Sequence, residues 1–453
     1  MAHIQIDFAK SAGAVKPMHA VNNGPSMKSA RAFSWGSGTD NALEFQAAGI
    51  PYARTHDASF YPGYGGEHTV DVHAIFPNFD ADPTDPASYD FVCTDDYLEK
   101  IEAVGCKTFY RLGSKIEHEV KKYGTIMPKD FHKWAVICEH IIRHFTEGWA
   151  DGYHMDIEYW EIWNEPDLDP DDSANKRCWS GTRQDFFEFY HVVATHLKAC
   201  FPHLKIGGPA CAGKTEWMDA FLAQLKAPLD FFSWHIYAHT VEAVLERVQL
   251  VQGLLNKYGF GHVESILNEW NYVLAWNGYE YKYGHYVKAT EKGASFILGT
   301  MCECQKAPVD MLMYYDARPS GWCGLFDLMG LQKKTTKAYY AFPMFNTLYR
   351  LGESVLAQAD GDGCHALGAK NEAGNEAAVI LTRFNDDDAT GACEVTVDLS
   401  GFGTAVGTEV EVYLLDADHD LEKLETLTYF GNRILLKKEL PNFTSYLFKL
   451  KAL

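Results

Sequence analysis

The sequence predicts an α/β protein: a TIM (β/α)8 barrel with an accessory antiparallel β-sandwich domain. Three observations predict it. Apolar strand-like runs alternate eight times with stretches of helical length between residues 15 and 350, and strands spaced this way read as βαβ units of a parallel sheet. Eight such pairs favour closure into a barrel over an open sheet. After about residue 351 the texture changes: glycines from Gly352 to Gly431 punctuate short apolar runs, the pattern of a turn-bounded antiparallel sandwich.

The strand candidates lie near 15–22, 50–56, 106–112, 157–164, 204–209, 230–237, 262–268 and 309–315. Helical patterns fall near 39–48, 94–104, 129–148, 183–200, 215–225, 240–258, 286–305 and 335–350. The third helix has a start signal, Pro128 followed by Asp130 in its first turn. The Pro- and Asp-rich stretch 80–90 reads as a loop on the second βα unit. Loops at 59–90 and 276–285 are long enough to wall one end of a barrel mouth. In the trailing region, 377–384, 393–399, 410–415 and 446–450 read as strands. The opening segment 3–8 also alternates and is placed with them. The expected division is a barrel over 14–350 and a sandwich over 351–453, joined by an N-terminal strand within 1–13.

Composition narrows the function classes. Of 453 residues 47% are hydrophobic, ample for a large core, and the formal net charge of −21 argues against nucleic acid or an anionic membrane surface as partner. No apolar run approaches the ~18 residues of a membrane span. No basic segment followed by a long apolar one opens the chain, so a cytoplasmic location is expected. The 11 cysteines are odd in number, with only Cys302 and Cys304 close together; they read as free, mostly buried thiols of a reducing compartment. No zinc-ligand spacing and no His-Glu-x-x-His helix appears among the 19 histidines. No metal or cofactor is implied. Subunit number is left open, a homo-oligomer included.

The chemistry concentrates in two acids. Glu165 follows the strand-like run Ile157-Glu158-Tyr159-Trp160-Glu161-Ile162-Trp163-Asn164, and Pro166 ends it because it has no N–H to donate. Glu269 closes another apolar run 104 residues later. At about 30 residues per βα unit this gap is about three units, which puts Glu165 on strand 4 and Glu269 on strand 7, both at the carboxyl-terminal face. Two carboxyl groups flanking one bond are what glycoside hydrolysis needs, one to protonate the leaving oxygen and one to attack or to activate water. Aromatic neighbours should raise the Glu165 pKa toward working pH. Supporting groups come from other strand ends: Arg54, His56 and Asp57 on strand 2, His235 and Tyr237 on strand 6, and Tyr315, Asp316 and Arg318 on strand 8. Asn164 can hold a sugar hydroxyl and a carboxylate together. Trp163, Trp276 and Trp322 are candidate stacking platforms, Phe326 a candidate pocket wall, whereas Trp160 and Trp149 read as core.

These residues resemble clan A glycoside hydrolases, and most closely glycoside hydrolase family 39. Glu161-Ile162-Trp163-Asn164-Glu165-Pro166 looks like that family's acid/base strand, and Leu267-Asn268-Glu269-Trp270-Asn271 like its nucleophile strand. Arg54-Thr55-His56-Asp57 looks like the strand 2 motif that contacts the glycone, and the run from Asp230 to Tyr237 like the strand 6 motif. Gly324-Leu325-Phe326 and the run from Lys337 to Phe342 resemble its closing loop and last helix. Asn268 stands where the family pattern has Thr or a similar small residue, and the loop 316–324 does not match the acidic loop of the family's β-xylosidases. The resemblance implies a retaining exo-acting glycosidase acting on an oligosaccharide or glycoside. Glu269 would be the nucleophile and Glu165 the acid/base. The sugar would be a neutral pentose, β-D-xylose before L-arabinose, with galactose-releasing members and a catalytically inactive carbohydrate binder as the alternatives.

Overall fold

The computed structural model describes residues 2–27, 40–57, 69–319, 324–329, 332–403 and 406–453. Eight parallel strands close into a barrel in sequence order: Ala20–Asn22, Tyr52–Arg54, Lys107–Leu112, Tyr159–Ile162, Lys205–Cys211, Phe231–Ala238, Glu264–Tyr272 and Met311–Tyr314, the last pairing with the first. Period-2 alternation divides each strand between two cores. Outward residues such as Trp160, Ile162, Trp234 and Trp270 pack under the helices. Inward residues Ala20, Phe109, Tyr159, Phe231, Ile266, Met311 and Met313 plug the lower barrel, with Phe109, Tyr159 and Phe231 in mutual ring contact at 5.1–5.5 Å.

The helices Ala42–Ala48, Val92–Ala103, Phe131–Glu147, Arg183–Cys200, Thr215–Gln224, Val241–Lys257, Glu291–Lys306 and Ala341–Leu351 ring this barrel. Asp130 is the N-cap of the third rather than part of its first turn, accepting the Lys133 N–H at 3.0 Å. The expected loop 276–285 is largely helical, Gly278–Val287: Tyr279, Tyr283 and Tyr286 recur at helical spacing, a period that Gly278 and Gly284 disguise. Of the loop 59–90, residues 59–68 lie outside those described. No helix among the described residues is long and apolar enough to cross a membrane, and every described cysteine is free.

Nine strands form one further sheet, mostly antiparallel. Strand Ala2–Ala14 lies inside it, antiparallel to Glu353–Asp360 and parallel to Cys393–Ser400. The sheet's two edges, Asp420–Tyr429 and Arg433–Leu440, are consecutive in the chain, so the sheet folds over on itself. Its inward residues, among them Ile4, Ile6, Phe8, Val397, Val412 and Phe448, make a separate core. A loop of this sheet reaches back to the barrel. Asp386 takes hydrogen bonds from Tyr272 (2.7 Å) and His239 (2.7 Å), at the ends of barrel strands 7 and 6, and an ion pair from the buried Lys292 (2.9 Å), which also meets Asp388 at 2.8 Å.

Candidate active site

The fourth strand ends in a turn that no helix or strand could supply. Trp163 and Glu165 adopt φ of 75° and 48°, the left-handed region that costs a non-glycine residue about 1–3 kcal/mol. The turn is tied down from the fifth strand: the Glu165 N–H donates to the Ala210 carbonyl at 2.9 Å. Asp167 accepts the N–H groups of Ala212 (2.6 Å) and Lys214 (3.0 Å). The Glu165 carboxyl thereby meets His235 Nδ1 at 2.8 Å, with Cys178 Sγ 4.0 Å from its other oxygen.

The seventh strand carries a bulge. Trp234 lies opposite Leu267 but His235 lies opposite Glu269, so Asn268 is one residue extra. Strict alternation would send Asn268 and Glu269 to opposite faces; the bulge brings both inside. Asn268 donates its amide to Glu161 below. Glu269 accepts from Arg54 (2.8 Å) and Tyr237 (2.9 Å), and its oxygens lie 3.3 Å from His56 Nε2 and 3.6 Å from His235 Nδ1. One oxygen of Glu165, one of Glu269 and a ring nitrogen of His235 all fall within 4.8 Å of one another.

Arg54 does not face the mouth as a sugar contact would. It is fully buried and donates downward and sideways to Glu161 (2.7 Å), Asn22 (3.0 Å) and Asn164 (2.7 Å) as well as to Glu269. It braces both acid-bearing strand ends from beneath, and Glu161 is held in turn by Ser233 at 2.5 Å. Asn164 spends its carbonyl on Arg54, and its Nδ2 has no partner among the described residues.

Strands 2 and 8 build the opposite wall. Asp57 meets His56 Nδ1, the Tyr315 hydroxyl and Arg318, each at 3.2 Å. Arg318 also bonds Asp316 at 2.5 Å, and Asp316 takes the Asn23 amide. Tyr315 stands edge-on to His56 at 5.4 Å. Trp276, 61% exposed, stands edge-on to Tyr237 at 5.3 Å. Two expected aromatic contacts lie elsewhere. Trp163 is swung by its left-handed backbone into the rings of Trp134, Trp179 and Phe189, its indole N–H on the Cys178 carbonyl at 2.8 Å. Phe326 packs against Tyr339. Trp322 lies outside the described residues.

Burial raises the Glu165 carboxyl above its ordinary range, with His56, Arg54 and Arg177 opposing. Burial pulls the His235 imidazole down to about 4, so near neutrality it is uncharged. Burial also pushes Asp167 up to about 6, with the Glu165 charge adding and the Lys214 and Ala212 N–H groups opposing. For Asp57 burial acts upward, but the charges of His56 and Arg318 outweigh it and hold the carboxyl well below the usual range. The arrangement sets an acid biased toward holding its proton beside a carboxylate braced by a guanidinium and a phenol. Glu161, Asn22, Asn23, Ser233 and Asp167 were not foreseen as site residues. For Glu161 and Asn22 the available signal was a single polar residue on an otherwise apolar barrel strand; Asn23 and Asp167 lie past their strand ends, and Ser233 shares its strand with His235.

The sequence model of Glycosyl hydrolases family 39 matches residues 67–421. A β-xylosidase of Geobacillus stearothermophilus is 27% identical over 270 residues, 51% of this chain and 50% of that protein. One from Caldicellulosiruptor saccharolyticus is 27% identical over 167 residues, 33% and 31% of the two. The chain thus matches half or less of the length of these curated relatives. Among solved structures, a glucosidase from Croceicoccus marinus superposes with a TM-score of 0.78 at 21% identity, covering 100% of this chain and 99% of that one. A monomeric β-xylosidase from Caulobacter crescentus superposes at 0.72 and 17%, with 100% and 99% covered.

Proposed function

Because the chain belongs to Glycosyl hydrolases family 39, we propose that it is a retaining exo-glycosidase that releases terminal β-D-xylose by double displacement. The observation that carries the reading is the approach of the Glu165 and Glu269 oxygens to within 4.8 Å. Retaining enzymes hold their carboxyl groups about 5–5.5 Å apart, whereas inverting ones leave about 6.5–9.5 Å for a water. Glu269 attacks the anomeric carbon while Glu165 protonates the leaving oxygen. Glu165, now a base, then takes a proton from water, which opens the glycosyl-enzyme. His235, neutral, orients Glu165. Arg54 and Tyr237 hold Glu269 in place. The unpartnered Asn164 Nδ2 is a donor for a sugar hydroxyl.

The pentose reading is supported by the names of both curated relatives and by the wall of Tyr315, Asp57 and Arg318, which crowds one end of the mouth. Arg318 already serves Asp57 and Asp316, which speaks against a uronide needing its own cation. Trp276 and the helix Gly278–Val287 stand at the rim and favour a closed, exo-type pocket. Excluding one extra carbon group is worth about 1–3 kcal/mol, so hexosides should be slow rather than inert.

The test is kcat/KM for aryl β-D-xyloside, α-L-arabinoside, β-D-galactoside, β-D-glucoside and α-L-iduronide in one buffer, with proton NMR of the first sugar anomer released. The xyloside should lead and β-xylose should appear first. A hexoside or the iduronide in front overturns the sugar; α-xylose first overturns retention.

A further inference from the structure

A second cluster of ligating side chains lies far from the mouth. His196 and Cys200 stand one turn apart on the helix Arg183–Cys200, and Glu139 faces them from the neighbouring helix Phe131–Glu147. Because barrel strand 5 begins at Lys205, this cluster sits at the amino-terminal end of the barrel, opposite the acids. Glu139 Oε2 is 2.7 Å from His196 Nε2, and Cys200 Sγ is 3.7 Å from the same nitrogen. One donor atom from each of the three lies within 4.8 Å of the others. We propose that Glu139, His196 and Cys200 form a binding site for a zinc-type divalent transition-metal ion, with water as the fourth ligand.

The spacing and the donor set carry the assignment. Zinc holds nitrogen at about 2.0–2.1 Å, sulfur at about 2.3 Å and carboxylate oxygen at about 2.0–2.2 Å in a tetrahedron. Those lengths put nitrogen and sulfur about 3.6 Å apart and nitrogen and oxygen about 3.4 Å apart. The 3.7 Å nitrogen–sulfur distance is already there. The nitrogen–oxygen pair needs only to open by a side-chain rotation of Glu139. Residues four apart on a helix share a face, which is how paired helical ligands reach one ion. A thiol, an imidazole and a carboxylate together suit zinc or cobalt, not magnesium or calcium. Arg143 bonds the other Glu139 oxygen through Nε (2.9 Å) and Nη2 (2.8 Å). Such a contact orients a ligating carboxylate, although its charge opposes a cation. On binding, the Cys200 thiol gives its proton to solvent as the metal–sulfur bond forms, and the ring proton that His196 Nε2 shares with Glu139 passes by way of solvent to Nδ1, which frees Nε2 for the metal. The thiolate and carboxylate charges then balance the ion, and two neighbouring helices become cross-linked. Bound metal would raise stability by mass action.

The experiment is titration of the whole chain with CoCl2, following thiolate-to-cobalt charge-transfer absorption, together with the thermal midpoint with and without ZnCl2. The wild type, Cys200→Ser, His196→Gln and Glu139→Gln are compared, with Glu269→Gln as control for metal at the mouth. The expected result is one thiolate-bound cobalt per chain and a raised midpoint in the wild type and in Glu269→Gln. His196→Gln and Glu139→Gln should bind at least about tenfold more weakly, and Cys200→Ser should lose the band. Absence of the band in the wild type, or an undiminished midpoint rise in His196→Gln and Glu139→Gln, overturns the site.

Discussion

Glu165 is ringed by groups that decide when it holds its proton. Its pKa is raised by burial, so as general acid it works below that pKa and fails as pH climbs through it. Glu165→Ala should cut kcat on glycosides with poor leaving groups by about 10²–10⁴-fold and on activated aryl glycosides by less, and on these azide should restore part of the turnover. Equal loss on both, without an azide effect, would remove Glu165 from the acid role. Asp169, four residues on, is the like charge that raises Glu165, and it gives a finer test. Asp169→Asn deletes that charge and frees Arg177 from its 2.7 Å bond, so the Glu165 pKa falls and the alkaline limb of kcat/KM moves to lower pH. An unmoved limb would show that Asp169 does not act on the acid. The two acids were legible from the sequence because their spacing in βα units is a one-dimensional quantity. Glu161 and Asn22 were not, because what they do depends on which strands face each other across a closed barrel. Trp163 was misjudged for a third reason: its ring direction follows from a left-handed φ that no pattern of side chains announces.

Among the elements, barrel strands and helices were readable wherever a period of 2 or 3.6 was clean, and unreadable where glycine interrupted it, as in Gly278–Val287. The bulge at Asn268 was visible only as an Asn at an unexpected position; its register belongs to the pairing with strand 6. Nothing in the local sequence marked the role of the loop 385–390, since its partners Lys292, Tyr272 and His239 lie more than 90 residues away in sequence. Lys292 is 3% exposed, while Asp386 and Asp388 keep some contact with water. Lys292→Met should therefore destabilise the fold by about 2–4 kcal/mol, less than for a fully buried pair. Adding Asp386→Asn should recover part of that loss in urea unfolding. A single variant within about 0.5 kcal/mol of wild type would mean that the loop is not held by this charge cluster.

For the molecule as a whole, barrel closure brings the first strand against the last helix, and His19 sits at that seam between Phe345 (5.3 Å) and Tyr349 (4.9 Å), its Nε2 3.1 Å from the Gly49 carbonyl. Burial pulls its pKa from 6.5 down to about 3. The unfolded chain takes up the proton first, so stability is full above about pH 6.5 and falls as pH drops toward 3, a loss of about 2 kcal/mol between pH 7 and 5. Other groups titrate in the same window, so the quantity to measure is a difference. His19→Phe should lose about 2 kcal/mol less than wild type between those two pH values in denaturant unfolding; identical losses would show that His19 is not the sensitive group. The alternation of barrel and sheet was legible as a change of texture near residue 351, but the parallel seat of Ala2–Ala14 beside Cys393–Ser400 was not, since local pattern carries no long-range pairing. That seat has a consequence for biosynthesis. The strand bearing Ile4, Ile6 and Phe8 leaves the ribosome some 350 residues before its antiparallel neighbour Glu353–Asp360 and still longer before Cys393–Ser400. At about 5–20 residues per second it waits on the order of tens of seconds with its apolar face and both edges unpaired. Through that interval the nascent chain depends on holdase chaperones or on rapid barrel closure to keep one exposed edge from finding another.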